Sequence, residues 1–348
     1  MAKNDDLSSS GTTNIVELKT VADIVDRYQC PGPHATVVMR VMVPGVRGQD
    51  RKTRRHALQN NLAHHDADEA VIRNIGNTLE SLDPRGVHVL MTANAQSAAF
   101  CWLTDHEVPA ATRVDSTPAL LPALSELSER APAIGAIIDH VGADMFELGH
   151  LELVEVGSIE GDDLSTDRRI GGDQAGYQRR AESIYERNAG LIAKRLSEHA
   201  ERVKAKIIVL TGNDREVASV EHHLGHNQFA VSTVHAGARH DEAAPDRLHE
   251  AARDATLTER LRIWNEAVGR LAEELGQHDL AVAGHDKTLE AIGEGRIRTL
   301  FLDLGMLDEM SDADSIARDA LLLGSDVVVA RDLGVADGVA GLLRYKST

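Results

Sequence analysis

Apolar, β-branched runs of six to nine residues recur along this chain, and charged stretches of helical pattern separate them. That alternation constrains the fold more than any other feature, because it builds sheets covered by helices. The run ATVVMRVMV (35–43) reads as a buried strand, and residues 51–82 read as helical with a break near Asp66. Asp83-Pro84 forces a turn. GVHVLMTA (86–93) and SAAFCWL (97–103) form a hairpin around Asn94-Ala95-Gln96, and a proline-spaced segment at 116–132 holds a short helix. A second series follows. AIGAIIDHV (133–141), DMFELGH (144–150) and LELVEVGSI (151–159) are closely spaced strands, as in a meander. A polar, glycine-rich loop (160–172) leads into a long helix over 174–204, whose apolar stripe is interrupted by Asn188. A strand (205–212), a helix (214–224), a strand (229–237) and a helix (257–276) complete this series. The third contains a strand and helix (279–295), strands at 296–304, 325–330 and 338–345, and a helix at 313–323. The fold expected is α/β, with three consecutive, elongated domains at 1–131, 132–276 and 277–348.

The length of 348 residues suits two or three domains. Hydrophobic residues make up 42% but aromatics only 3%, so the cores are expected to be aliphatic. No stretch has the roughly 18 uncharged apolar residues of a membrane span. The opening MAKNDDLSSSGTTN is polar and lacks the apolar heart of a secretory signal. Cys30 and Cys101 lie far apart and form no CxxC. A cytoplasmic protein with no membrane partner is expected. The net charge of −18 argues against a generic DNA binder, which needs a basic face to displace counterions. Two basic islands stand against that total. One comprises Arg47, Arg51, Lys52, Arg54 and Arg55, the other Arg168, Arg169, Arg179 and Arg180. Each is either a solvated helix face or an RNA contact.

The 17 histidines include EHHLGH, which spaces His222 and His226 four apart, but Gly225 between them is a natural helix terminator. A surface cluster is expected there, and no metal. The chain contains no GxGxxG, GxxxxGK[ST] or GxSxG, so nothing points to a cofactor or a conventional nucleophile. That leaves GGDQ at 171–174. Asp173 is a good helix N-cap after two turn-forming glycines. Alternatively, Gly171 and Gly172 let a backbone press against RNA, while the Gln174 amide orients a water or a ribose hydroxyl.

This loop and the YQRRAE that follows it, together with GRIRTLFLDLG and GVAGLLRY near the C-terminus, resemble the bacterial branch of the archaeal and eukaryotic release factor 1 and Pelota family. That branch includes mycobacterial-type members and Balon-like hibernation factors. The resemblance covers about 130–345. It implies a ribosome-binding translation factor in the A site, with the first domain toward the decoding centre, the second reaching the peptidyl transferase centre and the third facing a GTPase or the stalk base. Gly171, Gly172 and Gln174 resemble the release-factor loop, and Tyr177 and Arg179 resemble the aromatic and basic positions after it. Asp173 departs from that pattern by standing between the glycines and the glutamine. No Asn-Ile-Lys-Ser motif is present (TNIV at 13–16 is the near match), so stop-codon decoding is not expected. The resemblance therefore implies a hibernation factor bound to rRNA of the 70S ribosome, with elongation factor Tu as a delivery partner. The alternative is a peptidyl-tRNA hydrolase acting through Gln174.

Overall fold

The computed structural model describes residues 13–41, 49–82, 88–103, 108–128, 132–148, 153–162, 174–225, 229–277, 280–305 and 312–346. These form two compact units. One comprises the chain up to Glu129 together with Val268 onward, and the other comprises Arg130–Ala267.

The first unit contains two sheets. One has the order β1 (Asn14–Glu17), β4 (Ser97–Leu103), β3 (His88–Ala93), β2 (His34–Arg40), β5 (Ala111–Asp115), antiparallel except for the parallel β1–β4 pair. Its helices are α1 (Val21–Tyr28), α2 (Gln49–His64), α3 (Glu69–Ser81) and α4 (Leu121–Ser128). The helical break expected near Asp66 separates α2 from α3, and Asp66 itself adopts φ 56°. β1 is too short, at four residues, to show a period, whereas α1 carries Val21, Ile24, Val25 and Tyr28 at helical spacing over only eight residues. α1 is started by a capping box, in which Asp23 N donates to Thr20 Oγ1 (3.3 Å) and Thr20 N donates to Asp23 Oδ2 (2.7 Å).

The second sheet of this unit has the order β11 (Ala281–Ala283), β14 (Val339–Leu343), β12 (Ile297–Asp303), β13 (Asp326–Ala330). β12 and β13 run parallel, while β14 is antiparallel to both neighbours. Its helices are α8 (His285–Gly293) and α9 (Ala313–Leu322). The two sheets share one hydrophobic core. Ile24, Leu90, Cys101, Leu120 and Leu124 pack in the same cluster as Ile292, Leu300, Ile316, Ala317 and Val339. One carboxylate crosses this core. Asp314 Oδ1 accepts from Leu120 N (2.9 Å) and Leu121 N (3.1 Å), and Arg113 Nη1 reaches its Oδ2 at 2.9 Å. Asp314 thus caps α4 from another helix, satisfying amides that have no partner within α4.

The second unit is a single sheet in the order β10 (Ala230–Thr233), β9 (Ile207–Gly212), β6 (Ala133–Ile138), β7 (Gly142–Leu148), β8 (Leu153–Glu160). β10, β9 and β6 are parallel, and β6, β7 and β8 form the expected antiparallel meander. α5 (Gln174–Arg202) and α6 (Asp214–Leu224) contribute to the core on one face, and α7 (Ala244–Gln277) to the core on the other. α7 begins well before the 257 expected from periodicity. Its first buried stripe is Ala244, Leu248 and Ala252, and two alanines among charged residues give a weak apolar signal. Pro245 in the first turn, where its missing N–H costs nothing, is the sign of that start.

Candidate functional site

α5 is divided between two environments. In its C-terminal half Ala189, Ile192, Ala193, Leu196 and Ala200 are buried against the central sheet. In its N-terminal half Gln178, Arg179 and Arg180 are exposed, and among residues 178–187, whose burial is described, only Ala181 is buried. At 1.5 Å per residue the 29-residue helix is about 43 Å long. Gln174 is its first residue and Tyr177 its fourth. Gly171, Gly172, Asp173, Arg168 and Arg169 lie outside the described residues.

Asn188 fixes this helix to the sheet. It is 3% exposed, and its amide uses both ends. Oδ1 accepts from Asp162 N at 3.0 Å, while Nδ2 donates to His140 O and Asp162 O, each at 3.0 Å. One side chain therefore ties α5 to the β6–β7 turn and to the residue where the described chain leaves β8. The fit leaves no room beside it, since a Cβ on Gly161 would collide with Asn188 Oδ1. The polar residue that breaks the apolar stripe is thus a satisfied buried amide. Fourteen residues separate Asn188 from Gln174, about 21 Å of helix.

Polar pairs join α5 to α6 over the turns between these points. Glu182 faces Arg215 at 3.7 Å, and Glu186 accepts from Ser219 (3.1 Å) and pairs with His223 (3.2 Å). The His223 and Ser219 contacts hold the Glu186 carboxyl below its ordinary value. Arg215 lies over the Tyr185 ring at 5.9 Å, and His140 meets that ring edge-on at 5.9 Å. Between the helices is a cavity of about 40 Å³ lined by Asp139, His140, Tyr185, Asn188, Arg215 and Glu216. That volume admits a water molecule rather than a metabolite. The turn beneath is braced by Arg239, which contacts Asp139 (3.7 Å), Asp144 (2.9 Å) and Glu160. Burial alone would lower the Arg239 pKa, but the hydrogen bonds to Glu160 and Asp144 outweigh it and raise the value. These contacts build a rigid mount for α5. They were not legible in the sequence, where Asp139, Glu160 and Arg239 are scattered charges.

The basic island on α2 is partly committed to packing. Arg54 Nη1 donates to Val41 O at 2.6 Å, and Arg55 pairs with Glu80. Lys52 is exposed, Arg51 lies in α2, and Arg47 falls outside the described residues. The α2 basic residues belong to one unit, and Arg179 and Arg180 to the other. α6 ends at Leu224, with Gly225 at φ 69°; the His222 and His223 rings meet at 5.8 Å, and His226 lies outside the described residues. Among the described residues no three His, Cys, Asp or Glu side chains converge as a metal site, and no helix is long and apolar enough to cross a membrane.

Comparison with known proteins bears on the unit that carries α5. Residues 132–277 match the sequence profile of bacterial archaeo-eukaryotic release factor family 2. No curated protein matches the chain. Similar solved structures include Dom34 of S. cerevisiae, described as a translation termination-like factor (13% identity, 74% of this chain and 80% of that one, TM-score 0.44). Another is archaeal Pelota from a ribosome-bound assembly with ABCE1 (13% identity, 96% of each chain, TM-score 0.44). A third is the archaeal termination factor aRF1 (14% identity, 95% of this chain and 99% of that one, TM-score 0.29). The likeness to bacterial archaeo-eukaryotic release factor family 2 thus lies in the central region, residues 132–277.

Proposed function

We propose that this protein is a ribosome-binding translation factor that enters a vacant A site, directs the N-terminal end of α5 at the peptidyl transferase centre and keeps the ribosome idle, as a hibernation factor does. One observation carries the reading. The segment that matches the release-factor family contains Gln174, directly after Gly-Gly-Asp in sequence, as the first residue of a helix anchored about 21 Å away at Asn188. A probe of that kind needs reach and stiffness, and α5 supplies both. Contact with rRNA falls to the exposed Arg179 and Arg180, whose charge suits phosphate. Delivery by elongation factor Tu belongs to the same reading, and a pull-down between the two purified proteins with GTP tests it.

A second reading rests on the position of Gln174 itself. At the start of the helix, beside the glycines, its amide could orient a water against the peptidyl-tRNA ester, which would make the protein a hydrolase. The experiment that separates the two mixes purified protein with 70S ribosomes carrying labelled peptidyl-tRNA in the P site, then measures pelleted protein and freed peptide. The idle-factor reading expects pelleting without release, and Gln174→Ala unchanged in both. Release that disappears in Gln174→Ala would establish the hydrolase. Failure of the wild-type protein to pellet would end both readings.

A further inference from the structure

The start of α8 sets one histidine among three carboxylates. His285 is the first residue of α8, and Gly284 before it has φ 96° and no side chain with which to cap the helix. Asp337 supplies the cap from the turn at Ala336–Gly338, where its Oδ2 accepts from His285 N at 3.1 Å. The ring is bonded on both sides. Nε2 lies 2.9 Å from Asp312 Oδ2, and Nδ1 lies 3.3 Å from Asp286 Oδ1. An ionised carboxylate only accepts, so both ring nitrogens have to donate. Neutral imidazole has a single N–H, whereas imidazolium has two, and the geometry selects the charged ring. The Asp312 bond, then the Asp286 bond, raise the His285 pKa above its ordinary value, with burial opposing them. Asp286 is fully exposed and its bond is screened, which leaves Asp312 as the firmer partner. Among the described residues no lysine or arginine pairs with Asp286, Asp312 or Asp337. β11 and β14 beside α8 carry no titratable side chain, and Asp303 of β12 is committed to Gly305 N and Leu333 N.

The partner of the ring occupies a sensitive place. Asp312 immediately precedes α9, and its carbonyl accepts from Ile316 N at 3.0 Å to close the first turn of that helix. Two residues further on, Asp314 reaches the other sheet's helix α4 and accepts from Leu120 N and Leu121 N. One turn of helix thus carries both the carboxylate that holds the imidazolium and the carboxylate that joins the two sheets. We propose that His285 is a proton-operated latch, whose imidazolium holds the start of α9 in place and whose deprotonation loosens the first turn of α9 and the cap it delivers to α4. The direction follows from the sign of the shift. A group raised on folding contributes stability that is fully present below its ordinary 6.5 and is lost as pH rises through the raised value. The joint is tightest in mild acid and loosens as the ring titrates. The latch lies within the first unit and does not rest on the ribosome-binding reading.

The test uses the full-length protein in two measurements over the range in which histidine titrates, about pH 5.5 to 8.5. The first follows the His285 ring by NMR in wild type and in Asp312→Asn, with the resonance identified by its absence from His285→Gln. The second follows amide hydrogen exchange at Ile316, Leu120 and Leu121 in wild type and in His285→Gln, each rate divided by that of an unstructured amide at the same pH. Glutamine keeps a side-chain donor but carries no charge. Asp314 is present in both proteins, so the ratio of their rates isolates His285. The ring is expected to titrate above 6.5 in wild type and lower in Asp312→Asn. At the acid end the three amides should exchange roughly two- to fivefold faster in His285→Gln, as loss of one solvent-accessible ion pair predicts, and the difference should vanish as the wild-type ring loses its proton. Titration at or below 6.5, titration unchanged in Asp312→Asn, or equal exchange in the two proteins throughout overturns the proposal. A difference confined to Ile316, with Leu120 and Leu121 alike in both proteins, overturns it too, because the latch would then not reach α4.

Discussion

Asn188 holds three backbone groups with one amide, at a position where the helix pattern calls for an aliphatic residue. From the sequence that residue was a defect in the stripe of a long helix. Its partners, His140 and Asp162, lie 48 and 26 residues away and become neighbours only through the sheet, so no local pattern can announce them. Asn188→Leu would fit the apolar stripe and still leave Asp162 N, Asp162 O and His140 O without this partner. Asp162 and His140 are exposed residues, so water can take over part of this bonding, and each lost hydrogen bond costs about 0.5–1.5 kcal/mol. The expected outcome is a loss of about 2 kcal/mol or more in urea unfolding, and Gly161→Ala should lose stability too, because its Cβ has to displace the Asn188 amide. A Leu variant as stable as wild type would mean that Asn188 does not anchor α5.

At the scale of elements, α5 shows what periodicity can and cannot reveal. The helix itself was legible from its apolar positions, as were the strands of the meander and the break near Asp66. The division into a docked half and a more exposed half was not, because Ile184 and Tyr185 look like core in sequence yet are only half-buried, Tyr185 meeting Arg215 of α6. Gly171, Gly172 and Asp173, on which the choice posed by GGDQ turns, lie outside the described residues. For Arg179 and Arg180 the element does give one, since both are exposed on the half that leaves the sheet. If that half contacts rRNA, Arg179→Glu with Arg180→Glu weakens pelleting with 70S ribosomes and flattens its dependence on salt, because fewer counterions are released. The exposure of both residues predicts a change in thermal stability that is small beside the change in pelleting. Pelleting and salt slope equal to wild type would remove this turn of α5 from the interface.

At the scale of the whole molecule, sequence segments far apart fold as one unit. The chain before Glu129 and the chain after Val268 were legible as two α/β patterns, but not as sharers of a core, since that core is built from aliphatic residues that any sheet or helix would offer. Asp314 is one polar residue that joins the two segments, beside Arg318, which donates to Thr117 Oγ1 at 3.0 Å, and Ser128, which donates to Val327 O at 3.2 Å. Burial raises its carboxyl above the ordinary value, against the lowering effect of the Leu121 amide, Arg113 and the Leu120 amide, so ionisation in the fold is disfavoured although the cap and ion pair recover part of the cost. Asp314→Ala removes the acceptor of two amides at the start of α4 together with one partner of Arg113, which keeps Asp115 at 3.1 Å. The expected loss is about 2 kcal/mol or more, at the upper end of cap deletions. Because the core is common, the loss should fall on both sheets: amides of β3 and of β12 exchange hydrogen faster by the same factor. The pH dependence follows from the sign of the shift. A folded-state value above 3.8 means that the stability contributed by this group is fully present below that pH and declines as pH rises through the raised value. The gap between wild type and Asp314→Ala should therefore widen as pH falls from neutral toward 4. Faster exchange confined to β12, with β3 unchanged, would show that the two sheets fold independently and that Asp314 merely touches α4.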